Sequence, residues 1–171
     1  MEIELERTFL LKYKPKGLEE SESKEIIDIY IPDSSPHAVL RIRKAGDKYF
    51  ITKKTIISGT DSSEMQEQTI PLSKEEWEAL STLKGRRFRK IRHYYPFEGK
   101  TAEIDVYLDG LEGLVVVDFE FTNIEDKNKF QMPDFCLLDV TQEETTAGGM
   151  LAGKEYKDIE SFLNQHNYKK V

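Results

Sequence analysis

Glu2-Ile3-Glu4-Leu5-Glu6-Arg7-Thr8-Phe9-Leu10-Leu11 is the stretch whose reading decides the fold. In an extended strand successive side chains leave on opposite faces, so Glu2, Glu4, Glu6 and Thr8 point one way while Ile3, Leu5 and Phe9 point the other. Like charges in a row on one sheet face repel. Such a carboxylate ladder belongs either on a wet surface or around something cationic.

The same alternation recurs along the chain. Ile26 to Ile31 is a β-branched and aromatic strand ended by Pro32. Ala38 to Lys44 and Tyr49 to Ile57 form an antiparallel hairpin about Ala45-Gly46-Asp47-Lys48. Ser58 to Ser63 reads as a flexible tip, Glu64 to Ile70 as a strand stopped by Pro71, and Leu18 to Lys24 as a short surface piece. Ser73 with Glu76 three residues on is an N-cap signature, and Trp77, Leu80 and Leu83 follow at helical spacing. Arg87 to Phe97, Thr101 to Leu108 and Leu114 to Thr122 read as a β-meander. A last strand is expected within Cys136 to Gln142, and an amphipathic helix over Tyr156 to His166.

Within these strands Arg41 and Arg43 oppose Leu40 and Ile42, and Lys90 and Arg92 oppose Ile91. Glu103 and Asp105 oppose Ala102, Ile104 and Val106; Asp118 and Glu120 oppose Val115, Val117, Phe119 and Phe121. Lys54 shares a face with Thr52, and Glu67 with Thr69. A half-wet antiparallel sheet is the ordinary meaning of such alternation. Against it stands the segregation of sign: acids alone on the strands of Glu4, Glu103 and Asp118, bases alone on those of Arg41 and Lys90. A face selected for solubility mixes signs. Seven or eight antiparallel strands closed into a barrel would turn this face inward around room for one small ligand. Hard divalent cations take carboxylate oxygens, and guanidinium and ammonium groups suit phosphate, so metal plus polyphosphate would satisfy both walls.

Composition narrows the classes. The 171 residues carry 25 Lys and Arg against 32 Asp and Glu, a formal net charge of −7, which argues against nucleic acid as the partner. A single domain spanning residues 1–171 is expected. Cys136, the lone cysteine, excludes an internal disulfide and suits a reducing compartment, so the expected location is cytoplasmic. No apolar run approaches the ~20 residues of a membrane span, and the acidic N-terminus is unlike a signal peptide. His37, His93 and His166 are too scattered for a metal cluster; Gly148-Gly149 lacks the residues of a phosphate loop and reads as a turn or helix break; Tyr94 and Tyr95 could stack on a base or simply pack, and packing is the commoner role.

Glu4-Leu5-Glu6-Arg7-Thr8 resembles the Glu-x-Glu-x-Lys signature of the CYTH superfamily, the triphosphate tunnel metalloenzymes. The resemblance continues in order through Leu40-Arg41-Ile42-Arg43, Ile51-Thr52-Lys53-Lys54, Glu67, Lys90-Ile91-Arg92, Glu103-Ile104-Asp105 and Asp118-Phe119-Glu120, covering residues 2 to 122. It implies a mainly β (α+β) fold, a closed eight-stranded antiparallel β-barrel with a few flanking helices, and metal-dependent hydrolysis of a triphosphate, with inorganic triphosphate as the first substrate. By this likeness Glu4, Glu6, Asp118 and Glu120 would hold Mg²⁺ or Mn²⁺, with Glu103 and Asp105 nearby. Arg41, Arg43, Lys54, Lys90 and Arg92 would bind phosphate oxygens, with Glu67 on the wall between, and Glu4, Glu6, Lys54 and Glu120 would carry the catalysis. A class IV adenylyl cyclase, a thiamine triphosphatase and a non-catalytic polyphosphate-binding module are the alternatives. The expected partner is a small-molecule triphosphate, with no nucleic acid or membrane, the protein being a monomer or homodimer. Two positions depart from the pattern: Thr8 stands where the signature has lysine, and Leu138, beside Asp139, where a last-strand lysine is usual.

Overall fold

The computed structural model describes residues 2–57, 59 and 61–171. Its strands are β1 (Glu2–Leu11), β2 (Glu22–Ile31), β3 (Leu40–Ala45), β4 (Lys48–Ile56), β5 (Glu64–Leu72), β6 (Arg86–Phe97), β7 (Lys100–Tyr107), β8 (Val115–Phe121) and β9 (Cys136–Asp139). Its helices are α1 (Lys74–Leu80), α2 (Ile124–Lys129), α3 (Gly148–Leu151) and α4 (Tyr156–Gln165). None is long and apolar enough to cross a membrane.

The strands pair in the order β5-β4-β3-β2-β6-β7-β8-β1, and β1 pairs again with β5, closing an eight-stranded antiparallel barrel. β1 is shared among three partners. Leu5–Leu10 runs along β8; on the opposite edge Glu2–Leu5 pairs with β5, and Phe9–Leu11 pairs with the extra strand β9. β9 therefore takes over the edge that β5 leaves, so the second half of β1 stays paired on both sides. The β6–β7 hairpin turns at Glu98 (φ 46°) and Gly99 (φ 76°), the two left-handed positions that a two-residue turn matching strand twist requires.

Because the charged face turns inward, much of the apolar core lies outside the barrel. Leu5, Phe9, Ala102, Ile104, Val117 and Phe119 are covered by Phe130, Phe135 and Cys136 from the segment that leads into β9. On the other flank Ile29, Ile31 and Ile42 pack beneath Trp77 and Leu80 of α1, whose N-cap is the Ser73–Glu76 capping box. A third cluster closes one end of the lumen. Leu10, Tyr30, Phe88, Tyr107 and Val116 share strand parity with the charged residues but lie beyond them, and Val140, Leu151, Ala152, Ile159 and Leu163 pack on this apolar floor. Each such buried aliphatic side chain contributes ~1.5–3 kcal/mol by leaving water, so the C-terminal segment is bound by its floor contacts.

Several details differ from the sequence reading. Leu18 is buried at the head of a 3-10 turn, not on the surface, and β2 begins at Glu22. β5 runs through Pro71; beyond Glu67 its far edge is unpaired, so the missing N–H breaks no ladder bond there. α1 stops at Leu80, leaving Leu83 exposed, and β9 ends at Asp139. α2 and α3 carry too few residues for helical periodicity to reveal them. Of the expected tip at Ser58 to Ser63, Ser58 and Thr60 lie outside the described residues.

Gly148-Gly149 opens α3 because neither position has room for a side chain. A Cβ on Gly149 would stand 2.2 Å from the carbonyl oxygen of Ala38, and one on Gly148 would stand 2.2 Å from Tyr30 Oη. Gly149→Ala meets rigid backbone and is expected to cost ~1–3 kcal/mol, the usual range for overpacking, visible as a loss of several degrees in Tm. Gly148→Ala meets a side-chain tip and should cost less. Equal melting curves for both variants and the parent would show that α3 does not seat on the barrel as described.

Candidate active site

Alternation carries the charged residues of every barrel strand into one lumen, a cavity of about 870 Å³. Glu4, Glu6, Arg41, Arg43, Lys54, Glu67, Lys90, Arg92, Glu103, Asp105, Asp118 and Glu120 all line it, so every residue expected from the sequence is brought to one place. Adjacent strands β7, β8 and β1 form an acidic arc; β3, β4 and β6 supply the bases, with Glu67 of β5 at the junction.

Three carboxylates converge. Oxygens of Glu4, Glu6 and Glu120 lie within 4.8 Å of one another, a set of hard oxygen donors that could hold a divalent cation. Lys54 is the cation nearest to them: its Nζ bonds Glu4 and lies 3.3 Å from Glu67 and 3.8 Å from Glu6. One ammonium does not neutralise the group. Burial, with Glu103, Glu4 and Glu6 beside it, pushes the Glu120 carboxyl up to about 7. Burial likewise raises Glu6, although Lys54 opposes the shift. For Lys54 itself burial disfavours the charge, but Glu6 and Glu4 outweigh it and hold its pKa above the usual lysine range.

Glu103, Asp105 and Asp118, expected beside or among the metal ligands, are all engaged by Arg92. Its Nε and Nη2 donate to Asp105 at 2.7 and 2.6 Å, Nη2 also reaches Asp118 at 3.1 Å, and Nη1 bonds Glu103. Asp105 is buried and bonded to Lys90 as well; burial would raise its pKa, yet Arg92 and Lys90 hold it at about 2. Asp118 is pushed up to about 6 by burial and by Glu6, against the pull of Arg92. Of the six carboxylates expected at or beside the metal, the three that no guanidinium bonds are the three that converge.

The bases differ in how far they are committed. Arg43 spends Nε and Nη2 on a two-pronged bond to Asp28, 2.7 Å each, and Lys90 is held by Asp105 between the rings of Phe88 and Tyr107. Burial pulls the Lys90 pKa below the usual lysine value. Arg41 makes one long bond to Tyr30 Oη, 3.4 Å, and its Nε is buried with no partner among the described residues. An uncommitted buried donor in a lumen is poised for an acceptor that arrives from outside.

Asp28 and Tyr30 of β2 were missed by the sequence reading, because Ile26 to Ile31 is apolar on both faces but for one acid. The available signal was parity: Asp28 shares a face with Tyr30 and Ile26, and Ile26 and Tyr30 line the cavity. At the two departures, Thr8 Oγ1 donates to Asp118 Oδ1 at 2.9 Å and its N–H donates to Thr141 Oγ1 at 3.0 Å. Leu138 pairs with Leu10 and packs against the apolar floor, below the charged belt.

Comparison with known proteins gives a concordant picture. The inorganic triphosphatase of Nitrosomonas europaea is 28% identical over 151 residues, 87% of this chain and 96% of its own. That of Acetivibrio thermocellus is 32% identical over 122 residues, 70% of this chain and 75% of its own. A crystal structure of an inorganic triphosphatase superposes with a TM-score of 0.64 at 27% identity, covering 90% of this chain and 97% of that one. The model of the CYTH domain matches residues 2–135, from the acid ladder of β1 to the segment just before β9. A closed barrel, a lumen of segregated charge and this match together place the protein: the chain belongs to the CYTH domain family.

Proposed function

We propose that this protein is a metal-dependent triphosphatase that hydrolyses a phosphoanhydride bond of inorganic triphosphate inside its barrel. The observation that carries the reading is the juxtaposition, in one lumen, of three converging carboxylates with a wall of arginine and lysine. The similar proteins from Nitrosomonas europaea and Acetivibrio thermocellus, both named inorganic triphosphatases, support the substrate.

Glu4, Glu6 and Glu120 are the residues that would hold Mg²⁺ or Mn²⁺, with Asp118 adjoining; their all-oxygen donors and unneutralised charge fit a hard dication. When bound, such an ion polarises phosphate oxygens and lowers the pKa of a coordinated water. The protein's own groups supply the rest. Arg41 offers its free Nε to a phosphate oxygen, and Lys54, at the junction of acidic and basic strands, offers an ammonium to the oxygens nearest the carboxylates. Glu120, whose carboxyl stands near 7 in the ion-free lumen, would give up its proton as the cation is taken up. Most of the task is electrostatic, since phosphoryl transfer needs charge neutralised and oxygens held in line. The test is phosphate release from tripolyphosphate set beside cyclic AMP formation from ATP, each with Mg²⁺ or Mn²⁺. Cyclic AMP without phosphate release would overturn the reading in favour of a cyclase, and binding without turnover in favour of a capture module.

The two walls should respond differently to neutralisation. Glu6→Gln is expected to reduce kcat by at least ~100-fold, with partial recovery at high Mn²⁺, because its loss weakens metal retention. Arg41→Ala should raise KM for tripolyphosphate roughly tenfold or more, as expected for losing a hydrogen bond from a charged donor, and added metal should not restore it. Wild-type turnover in both variants would reduce the charged lumen to a bystander.

Protonation gives an independent check. The folded carboxyls of Asp118 (about 6) and Glu120 (about 7) lie above their values in an unfolded chain, ~4. Between ~4 and about 7 the folded metal-free protein therefore binds more protons than the unfolded one, and its unfolding free energy falls as pH rises through that window. A cation entering the carboxylates must displace those protons. Titration calorimetry in buffers of different ionisation enthalpy should show proton release on Mn²⁺ binding at about pH 6 and almost none above about pH 8. Equal release at both would mean that these carboxyls are not at the cation site.

A further inference from the structure

The buried acid of β2 has no part in the function proposed above, yet its partners do. Asp28 is fully buried, and in the barrel its strand separates the bases of β3 and β4 from those of β6. Its register partner on β3 is Arg43, whose Nε and Nη2 both bond it at 2.7 Å; Arg41 Nη1 stands 4.0 Å from its Oδ2. On the other side its register partner is Phe88, one of the two rings flanking the Lys90 ammonium. Tyr30, two residues on along the same face, accepts from Arg41. One short stretch of β2 thus holds both β3 arginines from behind.

The geometry points to Asp28 as a positioning residue for the phosphate-binding wall, acting through Arg43 and, more weakly, Arg41. A two-pronged carboxylate bond fixes the plane of a guanidinium as well as its place. With Nε and Nη2 bonded to Asp28, Arg43 lines the lumen with its guanidinium plane held in one orientation. Arg41, next to the same carboxylate but not forked by it, keeps its Nε uncommitted. The arrangement assigns the two arginines different work: Arg43 is a rigid ledge, and Arg41 is the adaptable grip.

This inference rests on the reading of the lumen as a triphosphate site, and the sign of one effect separates it from plain charge balance. Asp28 is a negative charge amid phosphate-binding cations. If it acted by charge alone, Asp28→Asn would make the lumen more positive and tighten tripolyphosphate binding. If it acts by position, the freed Arg43 rotates and binding weakens despite the added positive charge. We expect Asp28→Asn to raise KM, and the Kd for tripolyphosphate by calorimetry, roughly tenfold, the scale of one charge-assisted hydrogen bond, with kcat changed much less. Arg43→Gln should show a similar rise. The double variant Asp28→Asn/Arg43→Gln should bind nearly as well as Arg43→Gln alone, since the first change then has no forked guanidinium to release and only the weaker hold on Arg41 to lose. Circular dichroism melts establish that each variant is folded, and Arg43→Gln, which leaves the buried carboxylate in place, gives a second route should Asp28→Asn fold poorly. A lowered Kd in Asp28→Asn, or losses that multiply in the double variant, overturns the proposal. Failure of the wild-type protein to bind tripolyphosphate at all would instead sink the reading on which it rests.

Discussion

Everything in the lumen depends on one short seam. Glu2 to Leu5 of β1 lies against Glu64 to Glu67 of β5, and without that pairing the sheet would be open and its charged face wet. The seam is an awkward one, because Glu4 on β1 and Glu67 on β5, two places apart across it, both face the lumen as acids, and like charges on neighbouring strands weaken pairing. Lys54 resolves it. Reaching over from β4, its ammonium bonds Glu4 on one strand of the seam and approaches Glu67 on the other. The same side chain therefore helps close the barrel and faces the cavity the closure creates.

The buried ion pairs are poor value as stabilisers. Desolvating Arg92, Asp105, Lys90, Arg43 and Asp28 costs several kcal/mol per ion, and well-packed apolar residues in such places are often as stable or more so. A barrel of this size could be filled with aliphatic side chains, and at its floor this one is, with Leu10, Phe88 and Val116. The change along each strand from apolar floor to charged belt marks where packing stops and chemistry begins. Within the belt the charges are not equivalent: Arg92 contacts three acids, Asp28 occupies one arginine, and Glu4, Glu6 and Glu120 converge with no guanidinium among them.

The belt was legible in the sequence because a strand has a period of two. Once Glu4 and Glu6 were placed on one face, the parity of Arg41, Lys54, Lys90, Asp105 and Asp118 followed, and closure sent all of them inward. What parity does not report is partnership across strands. That Asp105 is spent on Lys90 and Arg92, whereas Glu120 is not spent at all, depends on the register of β6 against β7 and of β7 against β8, which only the paired sheet fixes. Asp28 escaped notice because Ile27 and Ile29 make its strand look wholly apolar. The floor escaped it too: Tyr30, Phe88 and Tyr107 read as ordinary strand aromatics until the C-terminal segment is seen to pack on them.

The sharing of β1 among three strands also sets an order of assembly. Its partners begin at Glu64, Val115 and Cys136, so during synthesis the first strand is made long before anything it can pair with. Both its edges are then open, in a topology whose non-local pairings form slowly. An unpaired strand is a template for neighbouring chains, and charge on the strand is the usual guard. Two copies of this strand meeting before their sheets close would bring Glu4 and Glu6 against their equals and repel. The ladder that lines the finished lumen is thus, before closure, the charge that guards an unpaired edge.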